Sequence, residues 1–142
     1  MLNIEHSESL ADEISGIIDS EFDKFAEKNG VICNYKPFVF TAYEDNRVVG
    51  IIKGHSYYNE VHIGDLIVLE QYRKNGIGKK LMERVEKHFG DSGFESITLS
   101  TYDFQAPEFY KKCGYEIEFI RENTKNPKLT KYFLIKYFDE KR

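Results

Sequence analysis

Residues 73–78 read Arg-Lys-Asn-Gly-Ile-Gly, and Lys79 and Lys80 follow directly. Ahead of them runs an apolar strand pattern, Ile63, Leu66, Ile67, Val68 and Leu69; behind them a helical period begins. A strand that feeds a glycine-containing turn at a helix start can hold a phosphate group. Backbone N–H groups unpaired in the first helical turn point at the anion, and the helix dipole favours it. Glycine is needed where a side chain would block close approach or where φ must be positive. Arg73 and Lys74 before the turn, with Lys79 and Lys80 inside the helix, add positive charge. The stretch reads as a pyrophosphate cradle. A P-loop would place Ser or Thr where Lys80 stands, and a dinucleotide fingerprint would place glycine where Leu81 stands, so both are excluded.

Other titratable residues gather near this strand. Asp65 is an acid inside an apolar run and needs a partner or a job. Glu60, His62 and Glu70 lie on or beside the same strand, and His62 alternates with Ile63. Each is a candidate proton acceptor; each also has a structural reading, as a half-buried histidine or a turn acid. Further along, Asp103 can cap a short helix, and Gln105 follows it as a second capping or ligand-binding side chain. Cys33 and Cys113 follow no metal or redox spacing, and two thiols do not make a disulfide framework. No metal is expected.

The elements that must position these residues fit one domain over residues 1–142, long enough for a proper core. Hydrophobic residues at 41% and charged ones at 31% are ordinary for a globular protein. With aromatics at 15% and no Trp, Phe and Tyr carry much of the packing. A net charge of −4 argues against nucleic-acid binding and suits a cationic or amine-bearing substrate. The N-terminus is acidic and lacks the apolar stretch of a signal peptide, and no apolar run is long enough to span a membrane. A cytoplasmic location is therefore expected.

Residues 2–5 are a candidate short strand, and Ser7 or Ser9 a candidate N-cap. Leu10, Ile14, Ile17, Ile18, Phe22 and Phe25 then form one apolar helical stripe, opposite Asp12, Glu13, Asp19, Glu21 and Lys24, with Gly30 as the stop. Residues 37–43 and 47–52 read as a hairpin turning at Glu44-Asp45-Asn46. Residues 55–59, polar and aromatic, lead into the cradle strand, so the early strands form an antiparallel meander. Past the cradle, Ile77, Leu81, Met82, Val85 and Phe89 make a helix ended by Gly90, and residues 94–101 a strand. Strand, helix and strand predict a parallel pair with a right-handed crossover. A short helix with Pro107 in its first turn and Gly114 at its end follows; Phe109 and Cys113 face the core. Tyr115, Ile117 and Phe119 start another strand, residues 123–128 form a polar loop, and 131–138 a last strand.

The Arg-x-x-Gly-x-Gly turn after its strand, followed some 30 residues later by Asp103, Tyr110 and Gly114-Tyr115, resembles the GCN5-related N-acetyltransferase superfamily. The run Phe104-Gln-Ala-Pro-Glu-Phe-Tyr-Lys-Lys-Cys-Gly-Tyr is similar to a group of small bacterial acetyltransferases. The resemblance covers roughly residues 38–138. It implies an α/β fold with a mixed, mostly antiparallel central sheet, one splayed parallel pair and helices on both faces. It implies acetyl-CoA as co-substrate, with the turn anchoring its diphosphate through Arg73, Lys74, Asn75, Gly76, Ile77, Gly78 and Lys79. Leu66, Ile67 and Val68 would pair with the pantetheine arm, Asp103 and Gln105 would contribute contacts, and Tyr110 would act as general acid. Where many relatives carry a glutamate base, this chain has Thr98, which cannot serve; Asp65 is the substitute carried forward. The reaction implied is direct attack of an amine on the thioester in a ternary complex, with a small molecule or protein amine as acceptor and a monomer or homodimer as the working form. The alternative is an acyl-CoA-binding or sensing module without catalysis.

Overall fold

The computed structural model describes residues 1–138. These divide into two compact units, Met1–Asn34 and the chain from Tyr35 onward. The first unit is a single helix, α1 (Asp12–Lys28), with an irregular lead. Residues 2–5 are not a strand, and Ala11 rather than Ser7 or Ser9 occupies the N-cap. Without a side-chain cap, the start relies on Asp12 and Glu13, whose charges suit the positive end of the helix. Gly30, at φ +71°, ends it as expected, and the Val31 N–H returns to the Ala26 carbonyl at 2.8 Å.

In the second unit, β1 (Lys36–Glu44), β2 (Arg47–Tyr57) and β3 (Glu60–Val68) form the expected antiparallel meander. Asp45 and Asn46 both take positive φ, the requirement of a tight primed hairpin turn. The chain then passes through a short 3-10 turn, Glu70–Tyr72, into α2 (Ile77–Phe89), and on to β4 (Ser96–Tyr102). Gly90 stays right-handed after α2, and it is Gly93, at φ +85°, that reverses the chain. The short helix α3 (Pro107–Lys112) leads to β5 (Glu116–Arg121) and β6 (Lys131–Tyr137).

The six strands lie in the order β1-β2-β3-β4-β6-β5, every neighbouring pair antiparallel except β3–β4. This is the mixed, mostly antiparallel sheet with one parallel pair that the sequence predicts. The insertion of β6 between β4 and β5 comes from long-range pairing. Leu81, Met82, Val85 and Phe89 of α2 pack with Ile52, Val61, Ile63, Ile97, Leu99 and Leu134 of the sheet, and Tyr110 and Tyr115 complete the core. A half-buried pair, Lys136 and Glu86 at 2.6 Å, ties β6 to α2, and the Lys136 ammonium also donates to the Cys113 carbonyl at 2.9 Å.

Candidate active site

The parallel pairing of β3 and β4 is short. It runs through Glu60↔Ser96, Val61↔Ile97 and His62↔Thr98 and then stops. Two residues later the β2–β3 register slips: Lys53 faces Asp65 while Gly54 faces Ile63, leaving Gly64 as an extra residue on β3. An extra residue bends the strand that carries it and increases its twist. Beyond the bulge, among the described residues, Leu66, Ile67 and Val68 pair with Ile52, Ile51 and Gly50 on one side only. The other edge faces an opening fork, and its backbone can take an extended ligand as one more strand.

The fork runs straight into the basic turn. Arg73 is extended, and its Nε donates to the Val68 carbonyl at 2.9 Å, closing the turn onto the end of β3. Lys74 and Gly76 both have positive φ, +69° and +77°. Such values cost an L side chain energy, and at Gly76 glycine removes that cost at the N-cap of α2. The first backbone bond of α2 runs from Lys80 N–H to the Gly76 carbonyl, so Ile77, Gly78 and Lys79 present the opening N–H groups. No side chain caps this end and no acidic residue lies in its first turn. Lys79 and Lys80 instead stand at the positive end of the helix dipole, an arrangement unfavourable by a few tenths of a kcal/mol each unless an anion sits there. Asn75 and Ile77 line, with Lys80, a cavity of about 390 Å³ walled by Ala42, Tyr43 and Val49.

Gly78 has a second role. A Cβ there would lie 3.2 Å from the ring of Phe109 and 3.8 Å from Val68. The missing side chain therefore lets α3 dock against the cradle, in addition to any space it leaves for a ligand. Next to Phe109, Tyr110 is 8% exposed, its ring edge-on to Phe109 and to Tyr115. Burial pushes its hydroxyl up to about 12, so the phenol keeps its proton throughout the neutral range, as an acid requires. Burial likewise raises the Cys113 thiol, with Glu86 adding to the effect, which leaves it a poor nucleophile.

Two expected helix caps are corrected. Asp103 does not cap α3, whose N-cap is Ala106; its Oδ1 accepts a hydrogen bond from the Tyr132 hydroxyl at 3.1 Å. Gln105 does not cap either. Its Oε1 accepts the Tyr102 N–H at 3.0 Å, while the Ala106 N–H donates to Thr101 Oγ1 at 3.3 Å. Both side chains hold the β4–α3 turn in shape.

The proton-acceptor candidates separate clearly. Glu70 lies in the 3-10 turn. Asp65 is exposed, so water solvates it despite its apolar neighbours in sequence, and it lies 3.9 Å from Lys53, its partner in the β2–β3 register. His62 sits at the root of the fork. It is half-buried, with Nδ1 2.9 Å from Thr98 Oγ1 and its ring 5.3 Å from that of His55. Desolvation, then the neighbouring His55, lowers its pKa below the ordinary histidine value, and Glu60 opposes them weakly. Thr98 and His55 are the side chains that sequence reasoning misses. Thr98 stands out in the sequence only as the absence of a glutamate, and nothing local indicates that it faces His62.

Residues 6–115 match the profile of the acetyltransferase (GNAT) family. Blasticidin-S acetyltransferase of Streptomyces morookaense is 33% identical over 78 residues, a match spanning 52% of this chain and 55% of that protein. An acetyltransferase from Bacillus cereus ATCC 14579 superposes with a TM-score of 0.74 at 24% identity, over 94% of this chain and 97% of that one. An aminoglycoside 6'-N-acetyltransferase complexed with coenzyme A superposes with a TM-score of 0.64 at 19% identity, over 93% of this chain and 83% of the other. With more than half of its length inside the family profile and a strand fork that opens onto a basic, glycine-containing helix start, the chain belongs to the GNAT family of acetyltransferases.

Proposed function

We propose that this protein is an acetyl-CoA-dependent N-acetyltransferase that moves an acetyl group to a primary amine by direct attack in a ternary complex, with residues 1–142 acting as one acyltransferase domain. The observation that carries the reading is continuity: the unpaired edge of β3 ends, through the Arg73–Val68 bond, in the open N-terminus of α2. An extended arm with a diphosphate at its end matches that surface along its length. In this reading Leu66, Ile67 and Val68 pair with the pantetheine. The N–H groups of Ile77, Gly78 and Lys79, with Lys74, Asn75, Gly76 and the terminal nitrogens of Arg73, hold the diphosphate. Asp103 and Gln105 act through the turn they shape.

Tyr110 supplies the proton to the departing sulfur. A free thiol has a pKa near ~8.5, so complete transfer from a phenol at about 12 runs uphill by roughly 5 kcal/mol. The proton therefore passes to sulfur as Tyr110 receives the second proton of the attacking nitrogen, and no free phenolate forms. Complexes of related folds with coenzyme A, and relatives that acetylate blasticidin-S or aminoglycosides, support an amine acceptor. The net charge of −4 is compatible with a cationic one. Acetyl-CoA as donor fits a cytoplasmic protein, and among the described residues no helix is long and apolar enough to cross a membrane.

The test is release of free thiol from acetyl-CoA in the presence of spermidine, kanamycin, lysine and a peptide with a free N-terminus. Release that depends on one of these amines is expected. Tight coenzyme binding with no release on any of them would instead identify an acyl-CoA-binding or sensing module.

A further inference from the structure

We propose that His62 is the general base for the acceptor amine and that Thr98 positions it, taking over from the other strand of the fork the task of the missing carboxylate. This deepens the acetyltransferase reading and rests on it.

His62 and Thr98 are the last facing pair before β3 and β4 part, so both side chains stand where the fork opens. Val61, Ile63, Ile97 and Leu99 point into the core beside α2, and the alternation of a strand puts His62 and Thr98 on the opposite face. The Nδ1···Oγ1 bond of 2.9 Å holds the imidazole across the fork root. A Cβ at Gly54 would collide with the His62 carbonyl, so glycine on β2 is what allows the backbone at His62 to come this close.

The bond admits the tautomer a base needs. A threonine hydroxyl can accept from Nδ1–H, which leaves the lone pair on Nε2 for a proton in the fork. The groups facing the ring are His55 from β2, Glu60 from β3 and Thr98 from β4; His55 in turn meets Tyr57 edge-on and Tyr35 at a tilt. Partial burial and the second imidazole keep His62 neutral at pH 7, and a neutral imidazole is a base ready to accept.

The ammonium R–NH3⁺ gives one proton to His62 Nε2, directly or through water. The nitrogen lone pair forms the N–C bond, and the C–S bond breaks with its pair going to sulfur. Sulfur takes the Tyr110 proton while Tyr110 regains one from the nitrogen, and His62 returns its proton to solvent. The products are the amide, the free thiol and one proton.

Two measurements test this. With coenzyme A bound, nitrogen-detected NMR of the His62 ring should show Nδ1 protonated and Nε2 bare at pH 7.5, with a titration midpoint below that of a free histidine. A ring protonated at Nε2 overturns the proposal. In the thiol-release assay, on whichever of the four amines the wild type turns over, His62→Gln should lower kcat at least about 30-fold with coenzyme binding unchanged. It should also remove the acid limb of the kcat profile, which in the wild type falls as pH drops through the lowered His62 value. Thr98→Val should lose about 5- to 10-fold and shift that limb, and Thr98→Ser should restore both. A folded His62→Gln protein keeping more than half of kcat overturns the base assignment alone. A wild type inert toward all four amines sinks the acetyltransferase reading and this inference with it.

Discussion

The two halves of β3 differ in what they offer. From Glu60 to His62 the strand is paired on both edges, its backbone groups are used in the sheet, and only side chains are left for chemistry. From Leu66 to Val68 it is paired on one edge, and the backbone itself is available. The bulge at Gly64 divides them. Side-chain chemistry thus gathers at the root of the fork, at His62 and Thr98, and backbone recognition in its mouth, continuing into the turn at Gly76. The two halves should fail in different ways: damage to the root should lower turnover, and damage to the mouth should weaken donor binding.

Tyr110→Phe is expected to give the largest effect. It keeps the ring and removes one hydroxyl, so coenzyme affinity should hold while kcat falls about 100-fold, the scale of a lost general acid. Tyr115→Phe is the matched control, because that hydroxyl is buried with no hydrogen-bond partner among the described residues. Removing it should leave kcat unchanged and raise stability by up to about 1 kcal/mol. Equal kcat losses in the two variants would show that packing, and not proton supply, is what Tyr110 contributes. The pH dependence carries its own sign. The Tyr110 pKa is raised on folding, from 10.0 to about 12, so its contribution to stability is complete below pH ~10 and is lost as pH climbs through about 12.

Gly76→Val probes the mouth. At φ +77°, with no atom within 4 Å of where a Cβ would stand, the position has room for a side chain but penalises its backbone, so the turn must rearrange. The acetyl-CoA dissociation constant should rise at least about tenfold, ~1.4 kcal/mol, by calorimetry, with kcat at saturating donor much less affected. Gly76→Asn tolerates the left-handed conformation better and should recover most of the affinity. Recovery by Asn would assign the glycine to backbone shape; two equally weak variants would assign it to ligand clearance.

Lys136→Met should leave both halves of the fork working and lower stability. It removes the bond to the Cys113 carbonyl and strands Glu86 half-buried, a loss of about 1–3 kcal/mol readable as a lower urea midpoint. A change in donor affinity instead would connect β6 to the cradle, contrary to the division between root and mouth.

Much of this layout is legible in the sequence wherever the determining contacts are local. The turn at residues 73–78 declares itself by spacing, and the hairpin at Asp45-Asn46 by turn chemistry. The β3–α2–β4 order dictates a parallel pair. Local reasoning fails where a cap is assigned by residue type alone: Ser7, Ser9 and Asp103 have the right chemistry, but Ala11 and Ala106 take those positions. It also fails at the fork root. His62 and Thr98 are 36 residues apart, and their meeting depends on a parallel register that no periodicity encodes. Nor does a glycine at position 64 reveal that it is a bulge.

The smallest expected effect is the most useful for placing the base. Asp65 lies on β3 next to the bulge, between the two halves, and as a carboxylate it is the alternative to His62. Its side chain is 72% exposed and its Lys53 partner 58% exposed at 3.9 Å, a pair worth no more than about 1 kcal/mol in stability. Asp65 stands in solvent beside Lys53, on the far side of the bulge from the His62–Thr98 pair at the root. Asp65→Asn removes the charge and keeps the shape. With His62 as base, kcat should stay within about twofold of wild type, the acid limb of its pH profile should not move, and the melting temperature should fall by no more than about 4 degrees. A tenfold or greater loss of kcat, with the limb abolished, would move the base from the root of the fork to its middle and return His62 to a structural role.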